Sequence, residues 1–152
     1  MGDTQIASVS AEDVATRLRL QRHPEGGWFR ETWRKPPSGG EARGGGTAIL
    51  FLLAAGERSR WHRVDATELW LFHAGAGLRL FTAVDGGSTV VERRLGADVM
   101  SGEAPQLEVQ ASEWQSAEVA GGWCLVSCIV VPAFEFSGFQ MADEGWSPCS
   151  GS

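Results

Sequence analysis

The stretch that most restricts how this chain can fold runs from Gly56 to Gly75, Gly-Glu-Arg-Ser-Arg-Trp-His-Arg-Val-Asp-Ala-Thr-Glu-Leu-Trp-Leu-Phe-His-Ala-Gly. In extended chain, side chains two apart share a face. His62 and Val64 therefore fall on one face, and Glu68, Trp70 and Phe72 on one face of the following strand. A hairpin joining the two strands would bring His62 to Glu68. Imidazoles at positions 62 and 64 with a carboxylate at 68 would surround a divalent cation, but position 64 is valine, so that ligand set is one short.

The rest of the chain reads in the same way, as short strands separated by turns. Ser10-Ala-Glu-Asp13 has the form of a helix start, with Ser10 as N-cap and Asp13 three residues on. Val14, Leu18 and Leu20 supply an apolar stripe, and the helix should end before His23-Pro-Glu-Gly-Gly27, which is turn chemistry. Strands are expected at 28–34, 47–54, 67–73, 78–84, 88–94, 106–110, 123–131 and 134–139, with a hairpin turn at Asp85-Gly-Gly87. The segment 35–46, with two Pro and several Gly, is expected to be the most mobile loop. About eight short strands, Gly-rich turns and one helix predict an all-β sandwich or barrel with a short N-terminal helix.

At 152 residues the chain fits one domain. We expect residues 1–9 and 143–152 to be flexible ends and 10–142 to form the domain. A net charge of −6 and a pI near 5.0 argue against a nucleic-acid partner. No window reaches eighteen apolar residues and the N-terminus lacks a leader pattern, so neither membrane insertion nor secretion is expected, and a cytoplasmic location is. Cys124, Cys128 and Cys149 form no CxxC pair. Cys124 and Cys128 fall on one strand face, as small core residues would.

Several motifs, taken in order, point to a family. Gly56 to Gly75 resembles the first signature motif of the cupins, the double-stranded β-helix or jelly-roll barrels. His23-Pro-Glu-Gly-Gly-Trp-Phe-Arg-Glu-Thr32, Ser59-Arg-Trp-His-Arg-Val64, Glu68-Leu-Trp70, Gly102-Glu-Ala-Pro-Gln106 and Trp114-Gln115 are together similar to a small single-domain cupin subgroup of largely undefined function, often described as epimerase-like. That resemblance runs from about Leu18 to Met141 and implies a jelly roll with a pocket in the barrel mouth and a homodimer formed through the sheets. It also implies that Gln115 stands where the second cupin motif places a further His. Only His62, Glu68 and the amide of Gln115 then remain for a metal, so no cofactor is expected, or at most a weakly held divalent ion.

The candidate catalytic pair is His62 and Glu68, an acid–base couple converging in an apolar interior. Trp70, Gln106, Trp114, Gln115 and Phe134 are candidates for contacting a small-molecule ligand, aromatic faces and amides being common in such pockets. His23 is expected to be structural in its turn, and His73, on the opposite parity, to be structural or exposed. The leading functional expectation is a carbohydrate-like or polar metabolite bound by a cupin, with metal-independent epimerisation or isomerisation through His62 and Glu68. In the nucleotide-sugar epimerases of this fold a tyrosine is the acid, and this chain has no Tyr. The alternatives are a non-catalytic ligand-binding cupin and, last, a metal-dependent oxygenase or isomerase.

Overall fold

The computed structural model describes residues 9–84 and 89–148. Helix α1 (Ala11–Arg17) is followed by eleven strands: β1 (Gln21–Arg22), β2 (Trp28–Lys35), β3 (Gly46–Leu53), β4 (His62–Val64), β5 (Thr67–Gly75), β6 (Leu78–Ala83), β7 (Val91–Leu95), β8 (Gln106–Val109), β9 (Trp114–Glu118), β10 (Cys124–Val131) and β11 (Phe139–Met141). They form two antiparallel sheets, ordered β1-β2-β3-β10-β5-β8 and β11-β4-β9-β6-β7. Their inner faces close on a core that includes Phe51, Leu53, Trp70, Leu80, Leu95 and Val126. Sheets of this kind stack about 10 Å apart, which leaves room for one layer of interdigitated side chains and, where these are short or polar, for a cavity.

The start of α1 follows the sequence pattern. The Ser10 hydroxyl accepts from Asp13 N–H at 3.1 Å and the Asp13 carboxylate accepts from Ser10 N–H at 3.2 Å. This reciprocal cap is worth on the order of 1 kcal/mol. Ala11 and Ala15 then let the helix lie close on the outer face of the large sheet, over Leu52.

Three expectations need correcting. β4 and β5 do not pair as a hairpin. β4 pairs with β9 and β11, and β5 with β10 and β8, so His62 and Glu68 face each other from opposite sheets. Asp65 and Ala66, between β4 and β5, carry the chain across: Asp65 N–H donates to Gly138 O and its carboxylate is gripped by Arg43. The segment 134–139 is not one strand. Pro132 has no N–H to continue the ladder, and a 3-10 turn at Phe136–Gly138 precedes β11. Finally, the loop after β2 is tied down rather than loose at Arg43, whose guanidinium donates to Ala133 O at 2.7 Å as well as to Asp65.

The Asp85-Gly-Gly87 turn lies outside the described residues, and the strand after it begins at Val91. Beyond residue 142, Trp146 packs on Trp114 with ring centroids 4.7 Å apart.

Candidate functional site

A cavity of about 350 Å³ opens between the two sheets at the end where β2, β3, β4, β10 and the 132–139 segment meet. At its floor lie His62, Glu25, Glu68 and Cys128; Phe29, Phe134, Phe136 and Phe139 supply much of its apolar wall; Glu31, Arg34 and Glu135 stand among its lining groups.

Glu25 is delivered by the turn between β1 and β2. The turn is held by hydrogen bonds from His23 N–H to Gly27 O and from Gly26 N–H to His23 O, and it docks through Arg60 N–H to Glu25 O at 2.7 Å. Glu57 fixes its far side, accepting from Gly27 N–H, Ala54 N–H and Arg22. Gly27 must be glycine here: its φ is +79°, and a Cβ would stand 2.6 Å from Leu52 O.

His62 is buried on β4. Its Nδ1 donates to Arg60 O at 2.8 Å and its Nε2 lies 3.0 Å from Glu25 Oε2. A ring whose two nitrogens meet a carbonyl and a carboxylate is best served with both protonated. Burial alone would push the pKa of His62 down. The charge and hydrogen bond of Glu25, the charge of Glu68 and the Arg60 carbonyl outweigh it and hold the imidazolium up to about 9. His23 goes the other way. Burial lowers it, and its Nδ1 accepts Glu25 N–H at 3.1 Å, which fixes a neutral tautomer.

Glu68, on β5, is raised above the ordinary carboxyl range by burial, with the His62 charge opposing. Its Oε1 accepts from Gln115 Nε2 at 3.0 Å, and Gln115 Oε1 accepts from Trp70 Nε1 at 3.0 Å. Because an indole can only donate, Trp70 dictates which way round the Gln115 amide sits. The Cys128 thiol also hydrogen-bonds Glu68 and is pushed well up by burial and by that carboxylate.

Of the seven residues singled out from the sequence, His62, Glu68 and Phe134 line the cavity. Trp70 and Gln115 sit behind Glu68, sealed in the core at 1% exposure each. Trp114 belongs to a separate cluster with Ala83, Ala142 and Trp146, and Gln106 is exposed on β8, so neither reaches the cavity. Glu25 was not legible as a site residue. Its motif reads as a turn, and only the fold carries the turn's carboxylate under His62. His23 faces the cavity in addition to its turn role, and His73 points outward to Ser127.

The donor set does not fit a metal of the kind such barrels hold. Val64 offers no donor, both His62 nitrogens and both ends of the Gln115 amide are engaged within the protein, and among the described residues no three His, Cys, Asp or Glu side chains are placed to hold an ion. No described helix is long and apolar enough to cross a membrane.

Two antiparallel sheets closed around a polar-floored cavity define a small jelly-roll barrel of the cupin type. The chain belongs to the cupin superfamily family DUF985, which it matches over residues 12–142. A protein of Shewanella oneidensis is similar at 34% identity, with a TM-score of 0.82 over 89% of this chain and 85% of that one. A hypothetical protein from Leishmania major is similar at 29% identity, with a TM-score of 0.78 over 88% of each chain. CapF, solved with an inhibitor, and the oxalate decarboxylase of Lactobacillus farciminis share the fold at 14% and 17% identity. Their TM-scores are 0.62 and 0.58, over 82% and 88% of this chain but only 34% and 35% of their own lengths. No curated protein sequence matches the chain.

Proposed function

We propose that the chain binds a small polar metabolite in the cavity above Glu25, His62 and Glu68 and handles a proton on it without a metal, as an epimerase or isomerase would. The observation that carries this reading is the buried Glu25–His62 ion pair beside a second carboxyl, Glu68, whose pKa is raised. Two carboxyls in unlike surroundings are the usual basis for separate acid and base roles. In this reading the Glu25 carboxylate takes a proton from a carbon next to a carbonyl, and the C–H electron pair moves to the carbonyl oxygen. The nearby His62 imidazolium offsets that negative charge. Glu68 in its acid form returns a proton to carbon and fills the place that a tyrosine would hold.

A cavity of about 350 Å³ lies at the small end of ligand pockets, roughly 300–1,000 Å³. It suits a single sugar ring or a metabolite of that size. A non-catalytic binding role is the second reading, favoured by the engagement of both His62 nitrogens within the protein. A thermal-shift screen of free sugars and polar metabolites tests binding, since a ligand stabilises by RT ln(1 + [L]/Kd) whether or not it turns over. Deuterium uptake from solvent at a carbon of a bound compound then separates enzyme from binder. Full exchange activity in His62→Ala would sink the acid–base assignment.

Homodimerisation belongs to the same proposal. The outer face of the large sheet carries Leu50, Leu69 and Ile129 on neighbouring strands, and Leu69 is 38% exposed. An apolar sheet face of this kind suits pairing about a two-fold axis. Light scattering on the purified chain measures the assembly, and a monomer at all concentrations would remove the proposal.

A further inference from the structure

The cavity walls say more about the ligand than that it is small. Phe134, Phe136 and Phe139 stand steeply to one another, with interplanar angles of 83°, 64° and 79° and ring centroids 5.0, 5.8 and 6.1 Å apart. Three such rings make a corner, and all three line the cavity. Phe136 is 62% exposed there, so its ring is open to whatever enters the cavity.

The polar groups around this corner are mostly acceptors. Three carboxylates, Glu25, Glu31 and Glu135, and the Glu68 carboxyl line the cavity, against the two positive groups Arg34 and His62. Both positive groups are already committed. His62 gives its two N–H groups to Arg60 O and Glu25, and Arg34 gives Nε and Nη2 to Glu31 and Phe134 O. An anionic ligand would therefore meet more carboxyl groups than cations, and among the described residues both cations that line the cavity already face a carboxylate.

We propose that the cavity selects a small cation, an amine or methylated ammonium, seated against the Phe134–Phe136–Phe139 corner with carboxylates around it. Aromatic faces attract such cations through their quadrupole, and the effect grows where water is excluded. The inference rests on the reading of this cavity as a small-molecule site and adds the charge of what enters it.

Three probes of nearly one shape test it by calorimetry and thermal shift: choline, its neutral isostere 3,3-dimethylbutan-1-ol, and the anion 3,3-dimethylbutanoate, with the methylammonium to tetramethylammonium series for size. The expected result is that choline or a member of the series binds at least about tenfold more tightly than the neutral isostere, while the anion gives no shift. Phe136→Leu, a change at an exposed position that keeps apolar bulk, should weaken the cation about three- to tenfold, and Phe136→Trp should restore it.

Equal binding of cation and neutral isostere overturns the proposal, as does preference for the anion or full affinity in Phe136→Leu. In each of those cases the small-molecule reading survives, because something binds. If no probe and no metabolite in the wider screen shifts the protein, both readings fall together.

Discussion

Replacing Glu25 by Gln keeps the side chain's shape and removes its charge, which makes it a direct probe of the ion pair under the cavity. Both partners are almost fully buried, at 3% and 7% side-chain exposure, so solvent screening does little to reduce the effect. Against burial, Glu25, with Glu68 and the Arg60 carbonyl, holds His62 at about 9 compared with an ordinary 6.5. At about 1.36 kcal/mol per pH unit, that gap is worth about 3 kcal/mol. The sign follows from a pKa raised by folding. The stabilisation is fully present below 6.5 and is lost as pH rises through about 9. Urea unfolding should therefore favour the wild type over Glu25→Gln by about 3 kcal/mol more near pH 6 than above about pH 9.5. Burial holds Cys124 up to about 12 and Cys128 well up, which gives both proteins a further loss of stability in alkali; the Cys124 part cancels in the comparison, whereas the Cys128 part is smaller in the variant because Glu25 adds to it. The His62 ring proton seen by NMR should titrate near 9 in the wild type and below 6.5 in the variant. A difference in stability that does not change with pH, or a His62 midpoint that stays put, would refute the ion pair.

Three further outcomes follow from the same contacts. Trp70→Phe removes the donor that sets the Gln115 amide and leaves a buried acceptor unpaired, which should cost about 1–3 kcal/mol in urea unfolding; no loss would mean the amide is held by something else. Arg43→Ala frees Ala133 O and Asp65, so amides at 133–138 should exchange with deuterium a few-fold faster, an effect below about 1 kcal/mol because the pair is partly exposed. Arg43 keeps the Asp65 carboxyl below its usual range, so in the wild type this clamp is present above the ordinary carboxyl range and weakens as pH falls into acid. Gly27→Ala puts a Cβ into Leu52 O at a positive φ and should destabilise by about 1–3 kcal/mol; a neutral result would show that the turn can move Glu25 away from His62.

The barrel was legible because strands announce themselves locally. Alternation in β5 and β10, glycines at their ends and the spacing of His62 and Glu68 were enough for the fold. β9 was harder to see as a strand: Trp114, Gln115, Ser116 and Ala117 are all buried, so the pattern carries no alternation, and its polar side chains are satisfied only by partners far along the chain. For the same reason the site was half visible. His62 and Glu68 lie in one motif, whereas the group that meets His62 comes from a turn nearly forty positions earlier. A propensity reading assigns Pro24, Gly26 and Gly27 to that turn and has no means of seeing the carboxylate between them.

The Trp70–Gln115–Glu68 chain has one more effect, on where a hydrogen atom can be. A carboxylic acid in water can carry its proton on either oxygen and in either rotamer. In this barrel an indole that cannot accept turns the amide, and the amide commits Glu68 Oε1 to accepting. When Glu68 is in its acid form, the proton is favoured on Oε2, because a carbonyl oxygen accepts from the amide better than an acid hydroxyl does. A single tryptophan in the core thus weights the four microscopic arrangements of that acid toward the two on Oε2, so less disorder has to be removed before the proton can be passed on.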